Sequence, residues 1–341
     1  MKLEEVQQGL AEFIAGQTGA SKVTIENAAR LSGGASRETW TFDAEWDGAG
    51  GHQRLEGILR ADPVVGAPEM PGRALEYTSI KAAWDAGAIV PEPMWDGNGT
   101  FPVNFFVMRR VPGEAIGSRL IRGEQYAKAR EDLPQQLARS MARIHTVKLE
   151  DYPALGRLPT PKPGVSPAQA ELERYEANFR NSSPDPHPVF ELALRWMWAN
   201  LPQVDEQTFL HGDLRLGNFM FGEDGLRGII DWELAHWGDP MEDIGWLTVR
   251  SWRFGGKQPV AGICERERFW ELYEQESGRA VNRKRAHFWE LFGSFKWGVI
   301  TITQAGNYLG GAQKNVEYAS IGRRTAETEM ELVTLLEAEG A

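Results

Sequence analysis

The chain is short of sulfur and of positive charge, and it lacks any long apolar run. A single cysteine, Cys264, stands among 341 residues. That excludes an intrachain disulfide and any metal site built from several thiolates. Lysine and arginine number 37 against 48 aspartates and glutamates, a formal balance of −11, which argues against nucleic acid or an anionic membrane as the main partner. No stretch approaches the roughly 20 apolar residues of a membrane span. The opening MKLEEVQQGLAEFIAG carries Glu4 and Glu5 where a secretory signal would be basic. Its Leu3, Val6, Leu10, Phe13 and Ile14 recur instead at the spacing of an amphipathic helix. These absences lead to the expectation of a soluble, cytoplasmic protein in a reducing compartment.

What is present is ordinary globular material, 42% hydrophobic and 25% charged, long enough for two domains or lobes. Val23–Ile25 and Thr39–Trp46 read as strands, with Gly33-Gly34 in the loop between them. RLEGILRAD (54–62) reads as a third strand, 73–86 as a helix ended by Gly87, and 101–111 as a β-rich segment closed by Pro112-Gly113. Helices are then expected over 124–147, 170–179, 189–201, 264–276, 283–305 and 324–339. A Pro- and Gly-rich connection covers 151–169, and a hairpin turns at Gly222–Gly225 before the strand RGIIDW. The pattern divides the chain at about residue 110: a β-rich part over 1–110 with an opening helix, and a larger helical part over 111–341.

One stretch carries chemistry. FLHGDLRLGNFMF (209–221) sets His211, Asp213 and Asn218 inside a greasy run, and a buried carboxylate is costly unless it is paired, hydrogen-bonded or metal-bound. Asp213 and Asn218 stand five apart, and Asp231 follows at the end of Ile229-Ile230. That spacing suits a loop in which the first carboxylate accepts a hydroxyl proton and the two later oxygens reach a hard cation such as Mg²⁺. Two other readings stay open from the residues alone. The polar groups could satisfy a structural turn, or His145, His211, His236, Asp213, Asp231 and Asp239 could supply ligands to a metallohydrolase.

HGDLRLGN followed by IIDWE resembles the aminoglycoside phosphotransferase-like family, the small-molecule branch of the protein-kinase-like fold. The resemblance implies an α+β, two-lobed architecture with the nucleotide held by the N-terminal lobe. It also implies ATP- and Mg²⁺-dependent transfer of the γ-phosphoryl group to a hydroxyl of a small molecule. Asp213 matches the catalytic base, and Asn218 and Asp231 match the metal ligands. His211 resembles the structural histidine of the loop. Asp239 reads as the N-cap of a helix with Pro240 at its first position, and the resemblance gives it, like Asp243, a supporting role. Glu233 could approach metal or substrate, or be an exposed helix-entry acid.

For the nucleotide, LSGGASRETW places Gly33, Gly34 and Ser36 near the phosphates. Kinase-like folds put a lysine on the third strand, whereas this chain has Arg60 there, with Glu76 on the next helix as its natural partner. Arginine can take over phosphate binding with altered geometry. FFVMRRVPG matches the hinge, where the backbone of Met108, Arg109 and Arg110 would meet adenine. LSGGASRETWTF and LRADP look closer to kinase domains found with acyl-CoA dehydrogenases, which implies a hydroxylated acyl chain or its CoA thioester as acceptor. An aminoglycoside acceptor would call for a cluster of carboxylates near the motifs, and the sequence shows no dense acidic run there. Trp196, Trp198, Trp252, Trp270, Trp289 and Trp297 could line an acceptor pocket or fill the core. A nucleotide-binding pseudokinase remains the alternative that Arg60 keeps open.

Overall fold

The structure is a computed structural model, and it describes residues 1–31, 38–48, 50–62, 72–97, 99–183, 185–204, 206–312 and 315–340. Gly33, Gly34 and Ser36, expected near the phosphates, lie outside the described residues.

The opening helix α1 (Leu3–Thr18) buries Val6, Leu10, Phe13 and Ile14 of the stripe its spacing predicts, leaves Leu3 at its first position exposed, and ends at Gly19 in the left-handed region. A five-stranded antiparallel sheet follows, built from β1 (Val23–Arg30), β2 (Glu38–Gly48), β3 (Gly51–Ala61), β4 (Pro93–Gly97) and β5 (Phe105–Arg109) in the order β1-β2-β3-β5-β4. Strand β4 escapes a sequence reading because it is short and opens on proline. Proline is tolerated where β4 lies, at the sheet edge.

Side-chain alternation gives the sheet two apolar faces. Leu55 and Leu59 of β3, with Phe105 and Val107 of β5, pack with Leu10 and Ile14 of α1 in one core. Ile58, Phe106 and Met108 point the other way, join Leu75 and Ile80 of helix α2 (Arg73–Asp85), and merge with the core of the helical part. Arg60 has the same parity as Ile58, so it too faces α2 and the rest of the chain.

The helical part comprises α3 (Gly117–Arg122), α4 (Ala127–Ile144), α5 (Pro167–Ser182), α6 (Pro188–Ala199), α7 (Met241–Thr248), α8 (Arg266–Ser277), α9 (Arg283–Leu309), α10 (Val316–Gly322) and α11 (Thr325–Ala338). Helix α5 starts inside the expected connection because Ser166 caps it, accepting from Gln169 N at 3.2 Å, with Pro167 at its first position. Helix α10 has no buried residue to announce it. Long α9 runs through the middle and packs against α5, α7, α10 and α11. Two small ribbons frame the motif: β6 (Thr208–Leu210) pairs with β9 (His236–Gly238), and β7 (Phe219–Gly222) pairs with β8 (Gly225–Ile229). Among the described residues no helix is long and apolar enough to cross a membrane.

Candidate active site

The ribbons explain why separated motif residues meet. The β7–β8 hairpin pairs Phe219 with Ile229, and Ile230 N donates to Asn218 O at 2.8 Å. Asn218 therefore lies across from the residues that lead into Asp231. At Asp231 the backbone has φ +70°, a left-handed value that is strained for most residues with a Cβ and tolerated best by Asn and Asp. Strain of this kind collects at functional positions.

The loop after β6 is fully braced. Gly212 has φ +76°, and a Cβ there would stand 2.2 Å from Leu234 O, so glycine is obligatory. Asp243 on α7 takes both loop amides, His211 N at 3.0 Å and Gly212 N at 2.9 Å. Burial opposes its charge, but the hydrogen bonds from His145 and the Gly212 amide hold its carboxyl down at about 2. His145 in turn contacts Tyr273 Oη at 2.7 Å and Asp243 Oδ2 at 3.2 Å. His211 is wholly buried; its Nε2 meets Ile230 O at 3.1 Å and its Nδ1 accepts from Asp213 N at 3.1 Å. Those partners assign the neutral tautomer protonated at Nε2, and burial lowers its pKa accordingly.

Asp213 receives four hydrogen bonds through its backbone and carboxylate oxygens. Arg215 Nε donates to Oδ1 at 3.1 Å, Trp246 Nε1 to the same oxygen at 2.8 Å, and Asn218 Nδ2 to Oδ2 at 2.5 Å and to the backbone O at 3.0 Å. The Arg215 guanidinium also lies over the Trp252 ring at 4.6 Å. Neither Arg215 nor Trp246 was singled out from the sequence: two residues after Asp213, an arginine in a loop reads as a solvated charge, and Trp246 reads as core.

Arg60 sits where the third-strand reading put it. Its Nη1 is 2.9 Å from Glu76 Oε1 and its Nη2 is 3.4 Å from Asp231 Oδ1. Burial disfavours its charge, yet Glu76, Asp231 and Glu233 outweigh that and raise its pKa. Glu233 therefore belongs to the same electrostatic neighbourhood. Arg73 also pairs with Glu76, so one buried carboxylate of α2 anchors two guanidiniums.

Other expected residues have partners of their own. Arg110 reaches across the sheet to Thr41 Oγ1 at 2.6 Å and Asp43 Oδ1 at 2.8 Å, while Arg109 pairs with Glu92 at 2.6 Å. Their backbone amides are also committed, Arg109 N to Glu92 O and Arg110 N to Glu56 O. Met108 has its side chain in the core. Asp239 is not the cap itself: α7 begins at Met241 with Pro240 at the cap position, and Asp239 Oδ1 accepts from Met241 N at 2.9 Å from one residue further back. Its Oδ2 takes Trp289 Nε1 at 2.8 Å and faces Arg285 at 3.2 Å. Asp239 thus ties α7 to α9, and bracing of the loop falls to Asp243. Of the tryptophans, Trp270 and Trp289 are core, Trp198 is exposed, and Trp252 lies beneath Arg215.

A histidine-rich metal centre does not form around Asp213. Among the described residues the one cluster with ligand spacing is Glu171, His236 and Glu242, all buried. There His236 Nδ1 meets Leu234 O at 2.9 Å and its Nε2 meets Glu242 at 3.1 Å, with Arg174 on Glu171 and Lys296 on Glu242. Two acceptor oxygens demand two donors, so the ring is a cation and its pKa is raised, by Glu242 chiefly, against burial. A doubly protonated imidazole has no lone pair for a metal.

Asn218 and Asp231 fit a hard cation better. With Nδ2 committed to Asp213, Asn218 Oδ1 has no hydrogen-bond partner among the described residues, and neither has Asp231 Oδ2. Amide and carboxylate oxygens are the donors that Mg²⁺ prefers.

A small antiparallel sheet followed by a larger helical part that holds the braced loop defines the protein-kinase-like fold. A model of the Phosphotransferase enzyme family (APH) matches residues 30–280, and the chain belongs to that family. In solved structures it is similar to a Ralstonia eutropha protein provisionally assigned as an aminoglycoside phosphotransferase, with TM-score 0.73 and 22% identity over 97% of this chain and 98% of that one. It is also similar to an aminoglycoside phosphotransferase variant in complex with AMP-PNP and hygromycin B, with TM-score 0.58 and 16% identity over 96% and 98% of the two chains. Among curated proteins it is 27% identical over 179 residues to acyl-CoA dehydrogenase family member 11 of Rattus norvegicus, covering 51% of this chain and 22% of the relative. The chain thus spans about a fifth of that relative's length.

Proposed function

We propose that the protein moves the γ-phosphoryl group of ATP to a hydroxyl of a small molecule. Residues 1–110 act as the nucleotide-holding lobe and 111–341 as the catalytic and acceptor lobe, in a cytoplasmic setting that suits one buried free thiol. The observation that carries the reading is the meeting of Asp213, Asn218, Asp231 and Arg60 in one neighbourhood, with an oxygen of Asn218 and one of Asp231 left over.

In this reading Asp213 accepts the acceptor's hydroxyl proton as the new O–P bond forms and the bond between the γ-phosphorus and the bridging oxygen of ADP breaks. Asn218 and Asp231 would hold Mg²⁺, which supplies charge neutralisation at the phosphates. Arg60 contacts phosphate oxygens and is itself aimed by Glu76. Adenine lies along Met108–Val111, where Val111 N–H is the amide without a backbone acceptor among the described residues. Gly33, Gly34 and Ser36 cover the phosphates.

For the acceptor, a hydroxylated acyl compound such as a hydroxyacyl-CoA is favoured over an aminoglycoside. The acyl-CoA dehydrogenase relative supports that choice, and so does the cation Arg215 at the base itself, which would repel a polycationic sugar. Incubation of the protein with Mg²⁺, ATP and either hydroxyacyl-CoAs or aminoglycosides tests it. A mass gain of one phosphoryl group on a hydroxyacyl-CoA is expected. Gain on aminoglycosides alone would reverse the acceptor assignment, and ATP binding with no transfer to either would favour the pseudokinase.

A further inference from the structure

Lys296 is a buried cation that the chemistry above leaves unused. It lies in the middle of α9 and is 1% exposed. Its Nζ donates to the Gly212 carbonyl at 3.2 Å and pairs with Glu242 Oε1 at 3.3 Å. The same ammonium sits 4.7 Å from the Trp246 ring centroid and 5.5 Å from that of Tyr175. Burial pulls its pKa down, but Tyr175, Glu242 and Glu171 outweigh burial and keep it charged.

Two of these contacts converge on Asp213. Gly212 is the residue before it, so a donor on that carbonyl fixes the peptide plane from which Asp213 leaves. Trp246 gives its indole N–H to Asp213 Oδ1 at 2.8 Å. A cation on the face of an indole draws electron density from the ring and makes its N–H a stronger donor. We propose that Lys296 is a positioning residue for Asp213, holding the base from α9 through the Gly212 carbonyl and the Trp246 indole. A core ion pair with Glu242 alone would need neither contact.

This inference rests on Asp213 being the base, so its test carries a readout that does not depend on turnover. Removing Lys296 alone would leave His236 as the one remaining cation on buried Glu242, and the protein could fail to fold. The charge-balanced Lys296→Met/Glu242→Gln pair avoids that, and Lys296→Arg keeps the cation. The indole N–H resonance of Trp246, identified by its loss in Trp246→Phe, reports the bond to Asp213. In the paired variant it should move in the same direction as in Asp213→Asn. The kcat for phosphoryl transfer to a hydroxyacyl-CoA should fall about 30-fold, with the KM for ATP within threefold of the parent. Lys296→Arg should recover a third or more of that loss on a logarithmic scale. An unmoved resonance in the paired variant overturns the positioning, and a moved resonance with parental kcat overturns its catalytic consequence. If the parent protein transfers no phosphoryl group at all, the function proposed above fails, while the resonance still decides whether Lys296 holds Asp213.

Discussion

Asp213 and Asp231 are both brought close to Asn218, one by a hydrogen bond and one by the β7–β8 hairpin, and are held in opposite ways. Both oxygens of Asp213 are spoken for, by Arg215, Trp246 and Asn218, and the loop beneath is pinned by Asp243. Asp231 stands on a left-handed backbone, about a third exposed, with one guanidinium contact at 3.4 Å and a second oxygen unpartnered among the described residues. A group that must meet a hydroxyl at one fixed angle gains from being built in advance. One that must trade a protein cation for a metal and phosphates gains from being loosely held. Under the proposed function, the difference in bracing separates the carboxylate assigned to proton work from the one assigned to binding.

The contrast can be broken from either end. Asp213→Asn keeps the shape and removes the proton acceptor, and should lower kcat about 10³-fold with little change in ATP affinity, measured by steady-state transfer and by nucleotide titration. Asp231→Asn should act through binding, lowering kcat/KM for Mg²⁺-ATP on the order of 10²-fold, part of it recoverable at high Mg²⁺. Arg60→Lys retains charge and loses the two-pronged grip on Glu76 and Asp231, for a rise of about tenfold in the KM for ATP.

Stability should follow the brace and not the binder. Asp243 has its carboxyl lowered from an ordinary 3.8 to about 2. A depressed acid contributes stability that is full above its unfolded value and lost as pH falls through the folded one. The contribution, about 2 kcal/mol, should therefore fade between roughly pH 5 and 2, and Asp243→Asn should flatten that limb of a denaturant-midpoint series. His236 runs the other way: its pKa is raised, so its contribution is full below the ordinary histidine range and fades as pH climbs past it. The smallest effect is expected at Arg110, whose pairs with Asp43 and Glu56 are partly exposed. Arg110→Gln should change activity less than twofold and stability by about 1 kcal/mol or less.

How much of this was legible in the sequence depends on chain distance. The bond between Asn218 and Asp213 spans five residues, and the hairpin that delivers Asp231 is a local turn, so spacing alone places the three. Arg60 and Glu76 could be matched because a strand and the helix after it are neighbours in space. The family resemblance and the two-part architecture followed from these same short-range features. The supports of Asp213 arrive from far away: Trp246 is 33 residues on and Lys296 acts on a residue 84 positions earlier. Only the packing of α7 against α9 brings them in, and no spacing rule reports it. Asp239 misled by one residue because Asp-Pro before a helix has the look of a cap, while the real bond is made from one position further out. Arg109 and Arg110 stood in the expected strand, but sheet register commits their amides to Glu92 and Glu56.

The most direct measurement is the product of one reaction run with three proteins. A hydroxyacyl-CoA pool is incubated with Mg²⁺ and ATP and the parent, Asp213→Asn or Asp231→Asn protein, and then read by mass spectrometry. A phosphorylated acyl-CoA should form with the parent. Asp213→Asn should yield almost none even at saturating Mg²⁺-ATP, whereas Asp231→Asn should regain product as Mg²⁺ is raised. Equal product from Asp213→Asn and the parent would contradict the assignment of Asp213 as the proton acceptor and, with it, the account of why this loop is braced.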